Sequence, residues 1–382
     1  MSGTIFTIRK VTNKGVHQET GELFFDGRCE DMLDEILTKL KNRNEVTDEE
    51  LEYLLSAESE EDKEKIYEAA RDVRDKNFGS KVFLYGFVYF STICRNNCTF
   101  CYFRRDNNNP PRYRKSLDEI VHTAKELANS GVHLIDLTTG EDPMYVNNPK
   151  KFADIVRAVK NATGLPVMTS PGVFSKEGIK ELKDAGASWY ALYQETHNTD
   201  LFKQLRIEQS YEERIAAKEF ASSIGLLVEE GLLTGVGDSI KDRVRSFRNM
   251  RNLNASQVRA MAFVNQDGAP LVGEKLNGCD RELLAIAVMR LLFPDTLIPA
   301  SLDVEGIKGL KNRLNAGANV VTSIIPPKEG YAGVANSVKD VDEGYRTVAG
   351  IQDTLRECGL CNASPREYMD WIEKKTQKIL VA

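Results

Sequence analysis

The stretch VFLYGFVYFSTICRNNCTFCYF, residues 82–103, joins an apolar run to a loop that carries three cysteines. The run at 82–90 is rich in β-branched and aromatic residues, and it predicts a β-strand. A helical, amphipathic pattern follows at 116–129 (SLDEIVHTAKELAN). The stretch therefore begins a strand–loop–helix unit with a cysteine-rich loop after the strand.

The same alternation continues toward the C-terminus. Helical patterns recur between the apolar runs, for example at 175–185, 210–223 and 280–293. The runs predict eight strands at 82–90, 133–138, 166–169, 188–192, 226–233, 257–264, 296–300 and 319–322. Strands that alternate with helices favour a parallel sheet, and eight such units predict an α/β fold of the (β/α)8 TIM-barrel type. A doubly wound open sheet is the alternative, although no G-x-G-x-x-G follows the first strand.

Additional helices flank the predicted barrel, which we assign to residues 79–336. Residues 1–78 are predicted to form an arm and a helical cap, in which Thr47 and Glu50 fit a capping box and Gly79 fits a helix stop. Residues 337–382 are predicted to form C-terminal helices packed on the barrel.

Composition limits the classes of partner. The 382 residues carry a net charge of −6, which argues against a nucleic-acid surface. The apolar runs are too short for a membrane span, and the first residues do not resemble a signal peptide. We therefore expect a cytoplasmic protein that contacts neither nucleic acid nor membrane.

Three of the seven cysteines, Cys94, Cys98 and Cys101, follow the pattern C-x-x-x-C-x-x-C. A structural zinc site requires four ligands, and none of the four histidines lies at ligand spacing from the triplet. An electron-transfer cluster takes four cysteines. A cluster with three protein thiolates instead leaves one iron open to a small molecule. Because the loop follows the first strand, it is expected at the C-terminal face of the barrel, where active sites lie.

The spacing C-x-x-x-C-x-aromatic-C, with Phe100 before the last cysteine and Tyr102 after it, resembles the radical S-adenosylmethionine (SAM) superfamily. The resemblance implies a 4Fe–4S cluster held by the three cysteines, with S-adenosyl-L-methionine chelating the fourth iron. It also implies a low-potential electron donor of the flavodoxin or ferredoxin type. Reductive cleavage of the sulfonium would supply a hydrogen-abstracting radical, while the protein orients the substrate.

Further residues match the superfamily's cofactor site. The second strand ends in the motif LIDLTTGEDP, and Arg214 matches an arginine of the biotin synthase-like branch. An arginine suits the methionyl carboxylate because its fork is planar and always charged. The residues implied to bind S-adenosylmethionine are Tyr102, Thr139, Gly140, Glu141, Ser170, Glu195, Arg214 and Gly235.

Within that branch, the chain resembles the 3-methylornithine synthase family of pyrrolysine biosynthesis from about 40 to 335. The matching segments include IDLTTGEDPMY, ALYQETHNTDLFKQLR, GLLTGVGD and GVAN. The resemblance implies isomerisation of L-lysine to (3R)-3-methyl-D-ornithine through hydrogen abstraction, Cα–Cβ fragmentation and recombination.

Four residues at strand ends allow a check by charge. Asp136 and Arg259 lie on the second and sixth predicted strands, and Ser301 and Asp303 lie just after the seventh, all on the same predicted face. Two carboxylates against one guanidinium leave one negative charge, the complement of lysine. The resemblance implies that Arg259 holds the substrate carboxylate, and that the other three meet the ammonium groups. Asp303 also fits a plain helix cap.

Other readings remain open. The predicted strands contain no cysteine, which argues against a sulfur-inserting second cluster as in biotin synthase. A hydrogenase-maturase-like radical enzyme acting on another amino acid, or a non-catalytic zinc or cluster scaffold, are the alternatives. The pair Cys358 and Cys361 fits either an incidental C-x-x-C or a surface metal site.

Overall fold

A parallel barrel forms the body of the protein. The structure is a computed structural model that describes residues 11–12, 15–16, 28–272, 278–326 and 345–381. Its eight principal strands are β1 (Lys81–Ser91), β2 (Leu134–Thr139), β3 (Val167–Ser170), β4 (Trp189–Ala191), β5 (Leu227–Thr234), β6 (Gln257–Ala262), β7 (Pro299–Ser301) and β8 (Val320–Ile324). All eight predicted strands are therefore present.

The strands pair in the order β6–β5–β4–β3–β2–β1–β8–β7, and every pairing is parallel. A bridge between Gln257 and Leu297, which lies just before β7, connects the two ends of the sheet. The Val258 amide donates to the Leu297 carbonyl over 3.0 Å. The barrel is thus nearly closed, as the sequence predicted, and the open-sheet alternative is wrong.

Fourteen helices are described in these ranges. They are α1 (Arg28–Lys41), α2 (Asp48–Leu55), α3 (Glu60–Phe78), α4 (Leu117–Ser130), α5 (Pro143–Val146), α6 (Pro149–Thr163), α7 (Lys176–Asp184), α8 (Thr199–Leu205), α9 (Tyr211–Ser223), α10 (Ile240–Asn252), α11 (Gly278–Leu292), α12 (Leu310–Asn315), α13 (Gln352–Glu357) and α14 (Pro365–Val381). No helix in the described ranges is long and apolar enough to cross a membrane.

The N-terminal helices pack against the side of the barrel. The capping box of α2 is confirmed, since the Glu50 amide donates to Thr47 Oγ1 and the Thr47 amide to Glu50 Oε2. Gly79 ends α3 at φ 59°. Helices α2 and α3 lie on α10 and α11, and the Arg248 guanidinium pairs with Asp48 at 2.8 Å. The predicted cap is therefore a flanking layer of helices.

Most of the predicted arm, residues 1–27, lies outside the described residues, as do GVAN and the boundary at 336–337. Val11–Thr12 and Gly15–Val16 form a short antiparallel pair. The exact domain limits stay a prediction.

Helix α14 plugs the N-terminal end of the barrel. Tyr368 is fully buried, and its hydroxyl lies 2.7 Å from the hydroxyl of Tyr85 on β1. Trp371 stacks on Trp189 of β4, with ring centroids 5.9 Å apart and planes inclined by 5°. Because this half of the barrel is filled with apolar and aromatic side chains, the polar space lies at the opposite end.

We expect Tyr368→Ala to lower the free energy of unfolding by about 3–5 kcal/mol, as for other buried aromatic residues cut to alanine. Urea denaturation at constant m-value measures the change. Arg366→Ala on the same helix is the control, because the Arg366 side chain is 90% exposed. Equal stability of the two variants would contradict the plug.

Candidate active site

The three cysteines of the loop after β1 face one cavity. The cavity has a volume of about 200 Å³ and lies at the carboxyl ends of the strands. Cys98 is buried, whereas Cys94 and Cys101 are half-buried. The predicted position of the triplet at the C-terminal mouth is therefore confirmed by the fold.

Arg112 holds the loop in shape. Its guanidinium donates to the carbonyl oxygens of Thr92 at 2.7 Å, Phe103 at 2.9 Å and Arg104 at 2.6 Å. The backbone amide of Thr99 also donates to the carbonyl of Leu205 over 2.9 Å, which ties the loop to the end of α8. Contacts to main-chain carbonyls therefore fix the shape of the loop and the spacing of its thiols. The cysteine pattern in the sequence does not reveal these contacts.

The thiols occupy a low-dielectric position. Burial raises the pKa of the Cys94 thiol to about 11, and it raises the pKa of Cys101 as well. In the part of the chain that the structure describes, no three His, Cys, Asp or Glu side chains converge on a position that could hold a single metal ion. The three thiolates would hold a 4Fe–4S cluster without that arrangement.

Cys98 receives two side-chain donors that the sequence did not suggest. Gln209 Nε2 lies 3.0 Å from its sulfur, and an Arg206 terminal nitrogen lies 3.7 Å away. Arg206 also pairs with Glu195 at 2.6 Å and covers the Phe100 ring at 5.3 Å. Both donors lie between α8 and α9, and Arg206 is the last residue of a segment quoted above for its resemblance only.

Glu195 has an unusual backbone. Its φ of 68° is left-handed although it is not glycine, a conformation that costs free energy and is typical of functional sites. Burial raises the pKa of its carboxyl, against the opposing effect of Arg206. Glu195 lines the cavity as predicted, but its partner here is Arg206.

Arg214 lies in the cavity wall, although a position on α9 alone would favour a solvated side chain. It is 3% exposed, and it reaches Glu141 at 3.3 Å and the Tyr193 carbonyl at 2.5 Å. Burial, followed by the charge of Arg206, lowers its pKa to about 10. Glu141 also accepts from Arg95 at 3.2 Å.

Gly140 allows the loops after β1 and β2 to touch. A Cβ on Gly140 would lie 2.5 Å from the Ile93 carbonyl oxygen and 2.8 Å from Cys94 Cβ. Gly172, at φ 83°, similarly leaves room for the Glu141 side chain, whose Cγ would lie 1.8 Å from an added Cβ. These two glycines fit the cysteine loop and Glu141 against each other.

A layer of charged side chains lies below the cysteine loop, inside the barrel. Arg259 of β6 pairs with Glu229 of β5 at 2.7 Å and donates to Thr322 Oγ1 at 3.2 Å. The Tyr193 ring lies under the Arg259 guanidinium at 5.5 Å, and its hydroxyl donates to Glu229 at 3.0 Å. Although burial opposes the charged form, Glu229 raises the pKa of Arg259.

Asp136 of β2 faces this layer. It accepts a hydrogen bond from Thr138 at 2.9 Å, and it forms no ion pair within the described ranges. Burial, followed by the charge of Glu229, raises its pKa to about 7. Asp136 is thus a buried carboxylate that a bound cation would stabilise.

Asp303 is held by charge and hydroxyl groups, which rules out the reading as a plain helix cap. Arg346 donates to it at 2.9 Å, Ser323 at 2.5 Å and Ser301 at 3.3 Å. Ser323 has a left-handed φ of 65°. Arg346, which belongs to the C-terminal part, was missed by the sequence analysis because nothing near it marks a site.

Glu230, next to Glu229 on β5, points the other way. It is fully buried and pairs with Lys218 of α9, and its carboxylate accepts from the Gln194 amide at 2.7 Å. Lys218 and nearby His197 hold the pKa of Glu230 at about 2, against the opposing effect of burial. This second pair supports the loop that carries Glu195.

The cavity brings together most of the predicted site residues. Those in its wall are Cys94, Cys98, Cys101, Asp136, Thr139, Gly140, Glu141, Ser170, Glu195, Arg214, Arg259 and Asp303. Ser301, Tyr102 and Gly235 are not among its lining residues. Tyr102 packs on Phe103 with ring centroids 5.2 Å apart, and the Gly235 amide donates to Asp238 at 2.7 Å.

Similarity to known proteins identifies the class of enzyme to which the barrel and the three-cysteine loop belong. A model of the radical SAM superfamily matches residues 88–250. The 3-methylornithine synthase of Methanosarcina barkeri is 44% identical over 338 residues, which cover 88% of this chain and 96% of the relative. That of Methanosarcina acetivorans is 45% identical over 336 residues, with the same coverage.

A crystal structure of methylornithine synthase superimposes with a TM-score of 0.84 at 44% identity, covering 88% of this chain and 99% of that one. The FeFe-hydrogenase maturase subunit HydE of Thermotoga maritima is 34% identical over 290 residues, which cover 75% of this chain and 82% of the relative. The chain therefore belongs to the radical SAM superfamily, in its biotin synthase-like branch, and is similar over most of its length to 3-methylornithine synthases.

The protein is thus a radical SAM enzyme whose cofactors are a 4Fe–4S cluster and S-adenosyl-L-methionine. When bound, they supply a radical that abstracts hydrogen. The residues fit these groups, because three thiols face one cavity and, in the described ranges, three of its buried polar atoms lack partners: Thr139 Oγ1, Arg206 Nε and Arg214 Nε. Cys94, Cys98 and Cys101 would hold the cluster, and Arg214 with Glu141 would meet the charged methionyl groups.

We expect Gly140→Ala to reduce the iron content of reconstituted protein at least severalfold, because the added methyl group would displace the Ile93–Cys94 backbone. Gly131→Ala is the control. At φ 95° with open space around it, it costs about 1–2 kcal/mol of stability but leaves the cysteine loop untouched. Full iron content in Gly140→Ala would contradict the proposed fit.

Proposed function

We propose that the protein isomerises L-lysine to (3R)-3-methyl-D-ornithine, a step of pyrrolysine biosynthesis. The observation that carries the proposal is the charge of the layer inside the barrel. Its carboxylates are Asp136, Glu229 and Asp303, and its guanidiniums are Arg259 and Arg346. Three negative charges against two positive charges leave one negative charge, which complements a substrate of net charge +1.

This count replaces the one made from the sequence. Glu229 and Arg346 were both overlooked, and their charges cancel, so the predicted net charge survives. Because an unpaired buried charge costs several kcal/mol, a cavity with one excess carboxylate disfavours anionic and zwitterionic substrates of net charge zero. The names of the methylornithine synthases support the same assignment.

Each charged group has a distinct role in the proposal. Arg259 is held at Nε by Glu229 and at one terminal nitrogen by Thr322, which leaves its other terminal nitrogen for the substrate carboxylate. Asp136 receives one ammonium group. Asp303 receives the other, and Ser301 acts through Asp303 because it is absent from the cavity wall.

The two walls that face each other across the charged layer suit a reaction that passes through two fragments. Below the charged layer, Phe83, Tyr85, Trp189 and the α14 plug fill the barrel. Above it, the cysteine loop and Arg206 form the other wall. A cleaved Cα–Cβ bond would therefore leave both fragments between the same walls, where they can recombine.

The decisive experiment is an anaerobic incubation of reduced, reconstituted protein with S-adenosylmethionine and lysine. An amino acid of unchanged mass but altered chromatographic mobility is expected. Cluster-loaded protein that cleaves S-adenosylmethionine but leaves lysine unchanged would overturn the substrate assignment. Such an outcome would favour the rival, a maturase-like enzyme acting on another amino acid, as the similarity to HydE allows.

We expect Arg259→Ala to abolish turnover while the visible absorption of the cluster stays intact, because Arg259 belongs to the substrate layer. Loss of one buried charge-assisted partner costs about 2–5 kcal/mol, equivalent to a thirtyfold or larger loss of affinity. Exposed Arg157→Ala on α6 is the control, since the ion pair of Arg157 among the described residues is with Asp154 on its own helix. Retained activity in Arg259→Ala would exclude the assigned role.

We expect lysine binding to strengthen as the pH rises through about 7. Below that pH, the raised pKa of about 7 keeps Asp136 protonated and neutral, and above it the carboxylate attracts the ammonium group. Isothermal titration at pH 6 to 8 measures the affinity. In Asp136→Asn, this pH dependence should disappear, and an unchanged profile would show that another group is responsible.

A further inference from the structure

The sulfur of Cys98 has a polar environment that goes beyond metal ligation. Gln209 Nε2 lies 3.0 Å from this sulfur, and an Arg206 terminal nitrogen lies at 3.7 Å. Both distances lie within the range of N–H···S hydrogen bonds. A short connection between α8 and α9 carries both donors, and the Thr99 amide of the cysteine loop donates over 2.9 Å to Leu205, the last residue of α8 before that connection.

The orientation of the Gln209 amide is set by its neighbours. Its Oε1 lies 3.4 Å from a terminal nitrogen of Arg206 and 3.4 Å from one of Arg214. Because a guanidinium can only donate, the amide oxygen must face the two arginines. The amide nitrogen must then face Cys98, so the contact with sulfur is an N–H donor and not an oxygen.

The two donors differ in their electrostatic effect. Glu195 compensates the charge of Arg206 at 2.6 Å. The Arg206 guanidinium also lies over the Phe100 ring. Gln209 is neutral, and it carries no counter-charge that would cancel its dipole. Its effect on the sulfur therefore depends on one hydrogen bond, which a single substitution can remove.

From this geometry we propose that Gln209 is a positioning residue that sets the reduction potential of the cluster through its hydrogen bond to Cys98. Hydrogen bonds to cluster sulfurs are among the factors that fix such potentials. A donor stabilises the extra negative charge of the reduced cluster more than the oxidised one, so it raises the potential. The proposal depends on the cluster alone and is independent of the lysine assignment.

The test is an EPR-monitored titration of the reconstituted protein with dithionite, without S-adenosylmethionine or lysine. In Gln209→Leu, the ratio of reduced to oxidised cluster at a fixed potential should fall roughly tenfold, which corresponds to about 59 mV for one electron. Gln209→Glu keeps the shape of the side chain but replaces the N–H donor with an oxygen. This variant should lower the ratio of reduced to oxidised cluster further. Gln204→Leu, the same change at an exposed glutamine of α8, should match the wild type.

Iron content and the Fe–S stretching frequencies in resonance Raman spectra accompany each titration. A rise in the Fe–S(Cys) frequency in Gln209→Leu would confirm loss of the hydrogen bond. If Gln209→Leu with a full complement of cluster has the same reduction potential as the wild type, the proposal is overturned. It is equally overturned if neither Gln209 variant takes up iron, because Gln209 would then serve only to build the loop.

Discussion

A charged group inside a barrel is costly unless it is paired, and this constraint organises the site. The interior holds Arg259 against Glu229 at 2.7 Å, Arg206 against Glu195 at 2.6 Å and Arg346 against Asp303 at 2.9 Å. Removing one partner from such a pair leaves a buried charge, which costs more than the pair itself contributes. The pairs thus behave as units, and a substrate must satisfy what they leave over.

The pairs also connect elements that are far apart in sequence. Arg346 joins the C-terminal part to the loop after β7, and Arg214 joins α9 to the loop after β2. The cysteine loop is connected in the same way through Gln209 and Arg206. Because each contact ties a helix or a loop to the wall of the cavity, these contacts help to hold the shape of the site, which is the preorganisation that a radical reaction needs.

The eight strands and the position of the cysteine triplet could be predicted from sequence, because apolar runs and a three-thiol spacing are local patterns. Strand ends also revealed Asp136 and Arg259. Glu229 lies in the middle of the run LLVEEGLL, where a charged residue carries no sign of its partner on β6. Arg346 and Gln209 were out of reach for the same reason, since their roles exist only once distant segments meet.

The resemblance placed some residues better than others. Arg214 was expected in the site and is buried there, although its helix alone would suggest a solvated arginine. Gly235 and Tyr102 were carried over from family motifs and lie outside the cavity wall. A motif thus identifies the loop that reaches a site, but the packing of neighbouring side chains decides which of its residues faces the ligand.

The neighbouring glutamates of β5 carry a consequence for folding. Glu229 points to Arg259 inside the barrel, while Glu230 points to Lys218 in the helical layer. A slip of β5 by one residue would keep a carboxylate against only one of the two cations and would set Val228 or Gly231 against the other, since side chains alternate between faces. The two glutamates weaken the apolar pattern of this strand, but they fix its register in the sheet. The same two side chains therefore serve both the chemistry of the site and the alignment of the strands.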